Sequence, residues 1–200
     1  RKEIKTPEDI KGLKFRVGGF AGKVLEKLGA VPQNIPAGEI YQSLEKGTID
    51  AAEWIGPYDD LKLGLNKVAP FYYYPGWWEG SLNLSLYIND KAFNSLNNEY
   101  KAIVRAAAME AHVTCQARYD ARNPAALKQL VAAKAKVLPF PQSVMDASFK
   151  ATMELYQSLD TSNPDWKKVY ADYRNFQRDQ VLWFRFAEGR FDNFMSSQKL

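Results

Sequence analysis

The first 55 residues alternate between strand-like and helix-like segments, and this alternation restricts the fold more than any other feature of the sequence. Apolar or alternating runs at Leu13–Val17, Ala30–Ile35 and Ile49–Ile55 predict three strands. Helical patterns at Lys23–Leu28 and Glu39–Lys46, each followed by a glycine, separate them. A strand–helix–strand–helix–strand order favours βαβ units and a mainly parallel sheet.

The remaining residues are predicted to be mostly helical, with a few short strands between the helices. Proline inside a helical pattern removes a backbone donor, so Pro124 is expected to interrupt or kink the longest helix. The predicted elements are, in chain order, a short helix at Tyr58–Leu65, strands at Phe71–Tyr74 and Leu82–Ile88, a long helix at Asn98–Arg122 that continues over Ala125–Ala135, an extended segment at Val137–Phe140, and helices over Val144–Phe194 with a break near Ser162–Pro164.

The charge composition argues against a nucleic-acid partner. The chain has 27 Lys and Arg residues against 23 Asp and Glu residues, a net charge of +4, and the basic residues are scattered among the acidic ones. Such a distribution is typical of a solvated surface rather than a phosphate-binding patch. The sequence also has no apolar run near the ~20 residues of a membrane helix, so no direct membrane insertion is expected.

Residues suited to covalent catalysis are scarce. The chain has one histidine, His112, and one cysteine, Cys115, both on the predicted long helix. Their spacing of three residues could place them on one helix face, but apolar packing into a core is the expected role of such a pair. One histidine and one cysteine do not make a typical zinc site.

A glycine-rich turn follows the first predicted strand, over Gly18–Val24. It differs from a nucleotide-binding phosphate loop, because three residues instead of four separate its glycines and Val24 replaces the Ser or Thr that holds Mg²⁺. A helix N-terminus after a glycine turn can still meet an anion. Arg16, at the end of the strand, would add a partner for a carboxylate, and a surface ion pair is the alternative role for this arginine.

Two carboxylates stand in unusual surroundings. Glu53 lies within an apolar strand pattern, where it must be paired, protonated or bound to a cation, and Trp54 beside it offers a flat apolar wall. Glu79 lies in the aromatic turn Pro75–Gly80. Carboxylate and carbonyl oxygens suit a hard cation such as Na⁺ or Ca²⁺, and two unrelated structural ion pairs are the alternative.

Five segments together resemble the extracytoplasmic solute receptors of tripartite ATP-independent periplasmic (TRAP) transporters. Thr6–Arg16, Leu25–Pro32 and Glu39–Glu53 are similar to the family as a whole in order and spacing. Glu53–Asp60 and Tyr73–Gly80 look like the branch that binds 2-oxo acids such as pyruvate. The resemblance extends over essentially the whole chain.

The resemblance implies a small monocarboxylic 2-oxo acid as ligand and a cation as bridge. Arg16 matches the arginine with which the family binds the substrate carboxylate. The matching cation ligands are Glu53, the backbone oxygen of Trp54, and Glu79, with Na⁺ or Ca²⁺ as the ion. Trp54, Trp78 and Phe20 are expected to enclose the carbon chain of the ligand.

The fold that the resemblance implies is α/β, periplasmic binding protein-like and two-lobed, a Venus flytrap with a long helix spanning both lobes. Most of the N-terminal lobe, including a glutamine ligand of the cation, is expected to be missing from this chain. The expected division is residues 1–54 in the second lobe, 55–97 in a crossover and part of the first lobe, and 98–200 in the spanning helix and C-terminal helices.

The implied protein is a non-enzymatic subunit in the periplasm that hands its ligand to TRAP membrane subunits. A homodimer that exchanges the stretch Ala187–Leu200 between subunits is a further expectation. Two other functions stay open on the residues alone. One is a metal-dependent lyase or hydrolase of small organic acids, which the lack of a nearby histidine base disfavours. The other is a signalling sensor of the same fold.

Overall fold

The predicted alternation forms two small parallel sheets in the computed structural model, which describes residues 1–78, 80 and 84–198. The first sheet has three strands in the order β2–β1–β3, and the second pairs β4 with β5. The strands are β1 (Lys14–Arg16), β2 (Val31–Gln33), β3 (Ala51–Ala52), β4 (Phe71–Tyr74) and β5 (Lys136–Pro139). The prediction of parallel strands joined by helices is therefore confirmed.

Helices connect these strands and make up most of the second half of the chain. Within the described residues, no helix combines the length and the hydrophobicity that crossing a bilayer requires. The α-helices are α1 (Gly19–Lys27), α2 (Ile40–Lys46), α3 (Pro57–Lys62), α4 (Asp90–Ser95), α5 (Asn98–Ala132), α6 (Gln142–Ser162), α7 (Pro164–Phe186) and α8 (Glu188–Ser196).

Glycines set the two turns that return the chain to the first sheet. Gly29 follows α1 with a φ of +89°, and Gly47 ends α2 with a φ of +76°, a conformation that L side chains rarely adopt. The helices then bury apolar side chains against the sheet in two clusters. These clusters consist of Ile4, Ile10, Leu13, Phe15, Val17, Leu25, Ala30 and Val144, and of Ile40, Leu44 and Ile49.

Two local predictions differ from the structure. Helix α5 continues through Pro124 as one helix of 35 residues, so the interruption expected there was wrong, whereas a kink at Pro124 stays a prediction. The loss of one backbone hydrogen bond is offset by the turns on either side and by packing against α3. The strand predicted at Leu82–Ile88 is not formed over residues 84–88, and 81–83 lie outside the described residues. In the described part of the chain, β4 pairs with β5 instead.

His112 and Cys115 lie on an exposed part of α5, so the expectation that they pack into a core was wrong. Met109 and Val113, on the same stretch of helix, are also exposed. The buried residues of α5 are Ala126 and Leu130, near its C-terminus. Helical periodicity predicted the helix, but it did not predict which part of the helix is buried.

The chain separates into two units, Arg1–Ala151 and Thr152–Leu200. The first contains both sheets and α1 to α5. In the second, Tyr156 packs on Trp166 and on Tyr170, with ring centroids 5.4 and 5.0 Å apart. The lobe boundaries expected at residues 54 and 97 stay predictions.

Asp60 is a buried carboxylic acid in the first unit, with 7% of its surface exposed. Its Oδ2 accepts a hydrogen bond from the Tyr72 hydroxyl at 2.6 Å, and its Oδ1 accepts one from the Ile55 amide at 3.3 Å. Burial raises the pKa of Asp60, although both hydrogen bonds favour the ionised form. Burial also raises the pKa of Tyr72, and the Asp60 charge adds to this shift.

Replacing Leu130 with alanine is expected to lower the free energy of unfolding by about 2–5 kcal/mol, because this side chain is fully buried and its loss leaves a cavity. Ile103→Ala is the matched control on the same helix, at a position 54% exposed, with an expected loss below about 0.5 kcal/mol. Urea denaturation followed by circular dichroism measures both. Equal losses would contradict the burial of Leu130.

Asp60→Asn is expected to change how stability depends on pH. A raised pKa means that folded Asp60 keeps its proton where the unfolded chain has released it, so this group lowers the free energy of unfolding as pH rises from 3.8 through the folded pKa. Asparagine does not titrate, so the variant should gain stability relative to the parent over this range. Urea denaturation between about pH 4 and pH 7 measures the difference. A difference that does not vary with pH would contradict the prediction.

Candidate functional site

The candidate site lies at the carboxyl ends of β1 and β3. Arg16 is the last residue of β1, and Glu53 comes directly after β3. The two strands are parallel neighbours, with Arg16 opposite Ala52, and the Glu53 amide donates to the Arg16 carbonyl at 2.9 Å. The sheet therefore brings together two side chains that are 37 positions apart in the sequence. Ligands of parallel α/β sheets commonly bind at this edge.

The Arg16 guanidinium makes three hydrogen bonds within the protein. Its Nη1 donates to the Glu53 carboxylate at 3.0 Å and to the Glu53 carbonyl at 2.7 Å, and its Nε donates to the Ile35 carbonyl at 3.2 Å. Within residues 1–78, 80 and 84–198, Nη2 makes no hydrogen bond to the protein. The two N–H donors on Nη2 are therefore not used by the described residues.

The ion pair with Arg16 explains how the Glu53 carboxylate is accommodated in an apolar segment. Each side chain is 17% exposed, so the pair is largely shielded from water. An unpaired carboxylate there would be costly, and Arg16 supplies the opposite charge.

Trp54 adds a ring and a carbonyl oxygen to this pair. The guanidinium of Arg16 lies 5.0 Å from the ring centroid, within the range of a cation–π contact that orients the arginine. The Trp54 carbonyl accepts no hydrogen bond from the described part of the chain. A carboxylate next to an unused carbonyl oxygen is chemically suited to a hard cation.

A cavity of about 630 Å³ lies against this cluster. Glu53, Trp54 and Trp78 are part of its wall, whereas Arg16 and Phe20 are not. Trp78 packs edge to face on Trp77, with ring centroids 5.0 Å apart. Aromatic and aliphatic side chains with a few polar groups are typical of a small-molecule site. Other lining residues include Leu44, Ile55, Asp60, Asn66, Tyr72, Tyr74, Leu127 and Phe140.

Phe20 lies in the first turn of α1, which begins at Gly19 and therefore includes most of the segment Gly18–Val24 that was predicted as a glycine turn. Its side chain is 45% exposed, and the Lys23 ammonium lies 5.5 Å from its ring centroid. Gly22 packs closely on Val17 and Pro32, where a Cβ would lie 3.6 Å from the Pro32 Cβ. Through Gly22, α1 therefore packs against β2 and against Val17, the residue that follows Arg16.

Glu79, the third predicted cation ligand, lies outside the described residues. Among the residues that are described, no three His, Cys, Asp or Glu side chains converge as a metal centre. The structure thus brings together Arg16, Glu53 and Trp54, with Trp78 in the wall of the same cavity. The roles assigned to these residues in ligand and cation binding stay predictions.

Asp60 and Tyr72 both line the cavity, but no role in the site was predicted for either of them. Asp60 follows the Glu53–Tyr58 segment on α3, and Tyr72 is the second residue of β4. A short helix of six residues has too little periodicity to reveal an inward-facing carboxylate. The run Tyr72–Tyr74 likewise does not show which hydroxyl is buried.

The preceding residue on α3, Asp59, makes a similar hydrogen bond to a different tyrosine. Asp59 accepts a hydrogen bond from the Tyr119 hydroxyl of α5 at 2.7 Å, and this bond raises the pKa of Tyr119 to about 12. Tyr58 lies beside them, with the Arg122 guanidinium 5.0 Å from its ring centroid. These contacts join α3 to α5 and lie outside the walls of the 630 Å³ cavity.

Several solved structures are similar to this chain. A TRAP transporter solute-binding protein from Bordetella bronchiseptica RB50 is 53% identical with a TM-score of 0.93 over 98% of the chain, and its crystals held a mixed-occupancy dimer with copurified calcium and picolinate in the bound site. A TRAP periplasmic solute-binding protein from Pseudoalteromonas atlantica T6c, with sodium and pyruvate, is 39% identical with a TM-score of 0.91 over 100% of the chain. One from Colwellia psychrerythraea, with calcium and pyruvate, is 36% identical with a TM-score of 0.91 over 96% of the chain.

A curated relative agrees with these structures. The monocarboxylate 2-oxoacid-binding periplasmic protein of Nostoc sp. (strain PCC 7120) is 44% identical over 199 residues, which is 100% of this chain and 55% of the relative. The chain also spans 59%, 60% and 59% of the three solved proteins. It therefore covers a little more than half of the length of the proteins it resembles.

The predicted resemblance and fold class are confirmed by these comparisons. The three solved proteins are named as solute-binding proteins and the Nostoc relative as a 2-oxoacid-binding periplasmic protein, in agreement with the prediction of a binding protein rather than an enzyme. A family model described as bacterial extracellular solute-binding protein, family 7, matches residues 1–162, in agreement with a location outside the cytoplasm. The chain belongs to family 7 of the bacterial extracellular solute-binding proteins.

Proposed function

We propose that this chain forms part of the periplasmic solute-binding subunit of a TRAP transporter and binds a small monocarboxylic 2-oxo acid of the pyruvate type. The observation that carries the proposal is the Arg16–Glu53–Trp54 cluster beside an apolar cavity at the carboxyl edge of a parallel sheet. Relatives named for 2-oxo acid or pyruvate binding, at 36–44% identity, support the ligand class.

Arg16 is the proposed partner of the ligand carboxylate. Its Nη2 has two N–H groups that no described protein atom uses, and Trp54 and the Ile35 carbonyl hold the guanidinium in place. A carboxylate that accepts from Nη2 would receive charge-assisted hydrogen bonds from a preorganised donor. Because Arg16 is only 17% exposed, these bonds would form with little competition from water.

Glu53, the carbonyl oxygen of Trp54, and Glu79 are the proposed ligands of a Na⁺ or Ca²⁺ ion. When bound, such an ion supplies positive charge to a carboxylate oxygen and to the adjacent keto oxygen. Arg16 by itself balances one negative charge, whereas Glu53, Glu79 and a monocarboxylate bring three. A bound cation reduces this excess, and structures of relatives with sodium or calcium support its presence.

The aromatic side chains are proposed to limit the carbon chain of the ligand. Trp54 and Trp78 line the cavity beside Glu53, and Phe20 lies at the start of α1 beyond Arg16. A 2-oxo acid offers a second oxygen next to its carboxylate, which a plain fatty acid lacks. This difference favours 2-oxo and 2-hydroxy acids wherever both oxygens are bound.

The partners proposed for the whole protein follow from its family. The ligand-bound form is expected to dock on the TRAP membrane subunits after the two lobes close on the ligand. The homodimer expected through the stretch Ala187–Leu200 stays a prediction, supported by one related structure that is a dimer. Helix α8 occupies most of this stretch, and Lys199 and Leu200 lie outside the described residues.

Arg16→Lys is expected to weaken pyruvate binding by about 10- to 100-fold, because lysine cannot reproduce the planar set of donors. Titration calorimetry on the full-length protein with Ca²⁺ present measures the change. Arg122→Lys is the matched control, since Arg122 also lies 5.0 Å from an aromatic centroid but contacts Tyr58 on α3, whereas Arg16 contacts Glu53 and Trp54. Unchanged affinity in Arg16→Lys would refute the role of Arg16.

Glu53→Gln is expected to lower pyruvate affinity about tenfold or more and to remove its dependence on the cation, because a neutral amide binds a hard cation weakly. Pyruvate is titrated with Ca²⁺ and after treatment with a chelator, on full-length protein. Glu39→Gln, at an exposed position, is the control that should keep the parent behaviour. A Glu53→Gln variant with the parent's Ca²⁺ dependence would exclude Glu53 as a cation ligand.

A further inference from the structure

We propose that Asp60 and Tyr72 are positioning residues that hold two segments of the binding site at a fixed separation, and that they thereby set the affinity for the cation. The inference rests on the proposed function, because it assigns an effect on the proposed cation ligands. One of the two segments contains Glu53 and Trp54, and the other leads from β4 to Trp78 and Glu79.

Asp60 fixes the first segment from within α3. Its Oδ1 accepts from the amide of Ile55, the residue that follows Trp54, at 3.3 Å. Its own amide donates to the Gly56 carbonyl at 2.9 Å. The chain from Glu53 to Gly56 is thus attached to the first turn of α3 by two bonds to one residue. This attachment restricts where the Trp54 carbonyl points.

Tyr72 connects the same carboxylate to the second segment. It lies on β4, where it is opposite Val137 of β5, and its hydroxyl donates to Asp60 Oδ2 at 2.6 Å. The chain continues from β4 through Pro75–Trp78, and Trp78 lines the cavity that Glu53 also lines. One carboxylate therefore contacts both segments that carry the proposed cation ligands.

The contacts of Asp60 are those of a hydrogen-bond acceptor rather than of an ion pair. Its carboxylate interacts with the Tyr72 hydroxyl and with the backbone amides of Ile55 and Gly56, and the charge that acts on it is the like charge of Asp59. A carboxylate buried without an opposite charge lowers stability, and an uncharged side chain would avoid this cost. Destabilising groups occur at functional sites, where activity is favoured at the expense of stability.

The adjacent Asp59–Tyr119 pair allows this role to be separated from simple stabilisation of α3. The two pairs have the same chemistry and nearly the same length, 2.6 Å for Tyr72–Asp60 and 2.7 Å for Tyr119–Asp59. Tyr119–Asp59 connects α3 to α5 and does not line the 630 Å³ cavity. Replacing either tyrosine with phenylalanine removes one hydroxyl and one hydrogen bond to α3.

The experiment compares Tyr72→Phe with Tyr119→Phe in the full-length protein. Tyr72→Phe is expected to raise the half-saturating Ca²⁺ concentration for pyruvate binding by about tenfold, the effect of losing one charge-assisted hydrogen bond, whereas Tyr119→Phe keeps the parent value. Pyruvate affinity at saturating Ca²⁺ should recover in Tyr72→Phe. A loss of stability alone would not raise the half-saturating Ca²⁺ concentration while leaving pyruvate affinity at saturating Ca²⁺ unchanged. Equal half-saturating Ca²⁺ concentrations in the two variants would overturn the inference.

A second measurement does not depend on any ligand. Hydrogen exchange followed by mass spectrometry should show faster exchange over Trp54–Gly56 in Tyr72→Phe than in Tyr119→Phe. If the parent protein binds no pyruvate with Ca²⁺, the proposed function fails, and exchange over this segment still decides the positioning role. Equal exchange in the two variants would overturn that role.

Asp60→Asn provides a variant for which no loss of folding at neutral pH is expected. It keeps an acceptor for the Ile55 amide, but it replaces the charge-assisted bond to Tyr72 with a neutral one. The half-saturating Ca²⁺ concentration is expected to rise, by a smaller factor than in Tyr72→Phe if the hydroxyl contact dominates. A parent-like value in this variant would count against the inference.

Discussion

The ion pair between Arg16 and Glu53 is the constraint on which the site depends. A parallel sheet places the ends of neighbouring strands together, and here it places a carboxylate where only a sixth of its surface meets water. Such a charge persists only with a close opposite charge and further hydrogen bonds. Arg16 supplies both, through one nitrogen that contacts the Glu53 side chain and backbone together. The orientation of the guanidinium on Trp54 follows from this arrangement.

The pair also explains how one cluster can serve structure and binding. Without a ligand, the two charges neutralise each other, and the sheet edge carries no unpaired charge from these residues. An anionic ligand that accepted hydrogen bonds from Nη2 of Arg16, as proposed, would weaken the interaction of the arginine with Glu53. The Glu53 carboxylate would then be stabilised by a second positive charge. This is the electrostatic reason why an anion and a cation would bind together.

Much of the first unit could be predicted from the sequence, because its signals are local. Apolar runs, glycines after α1 and α2, and helical periodicity predicted the parallel order and the position of Arg16 at a strand end. Glu53 was predicted inside the strand Ile49–Ile55, but β3 ends at Ala52, so Glu53 follows the strand. The continuous α5 could not be predicted, since the cost of Pro124 is offset by packing that lies far away in the sequence. At residues 84–88 a strand was predicted but is not formed, because an apolar alternation forms a strand only where a partner strand is available. The direct contact of Arg16 with Glu53 depended on strand order, and the burial of Asp60 depended on a tyrosine from another sheet.

The all-parallel pairing of the strands has a consequence for how the chain folds. β1, β2 and β3 are joined by single short helices, so their sheet can form from segments that are close in sequence. β4 and β5 are separated by α4 and the whole of α5, and their pairing must close a much longer loop. Contacts of long sequence separation form late and slowly. We therefore expect the β4–β5 sheet, and with it the wall that carries Tyr72, to be assembled after the βαβ units have already collapsed.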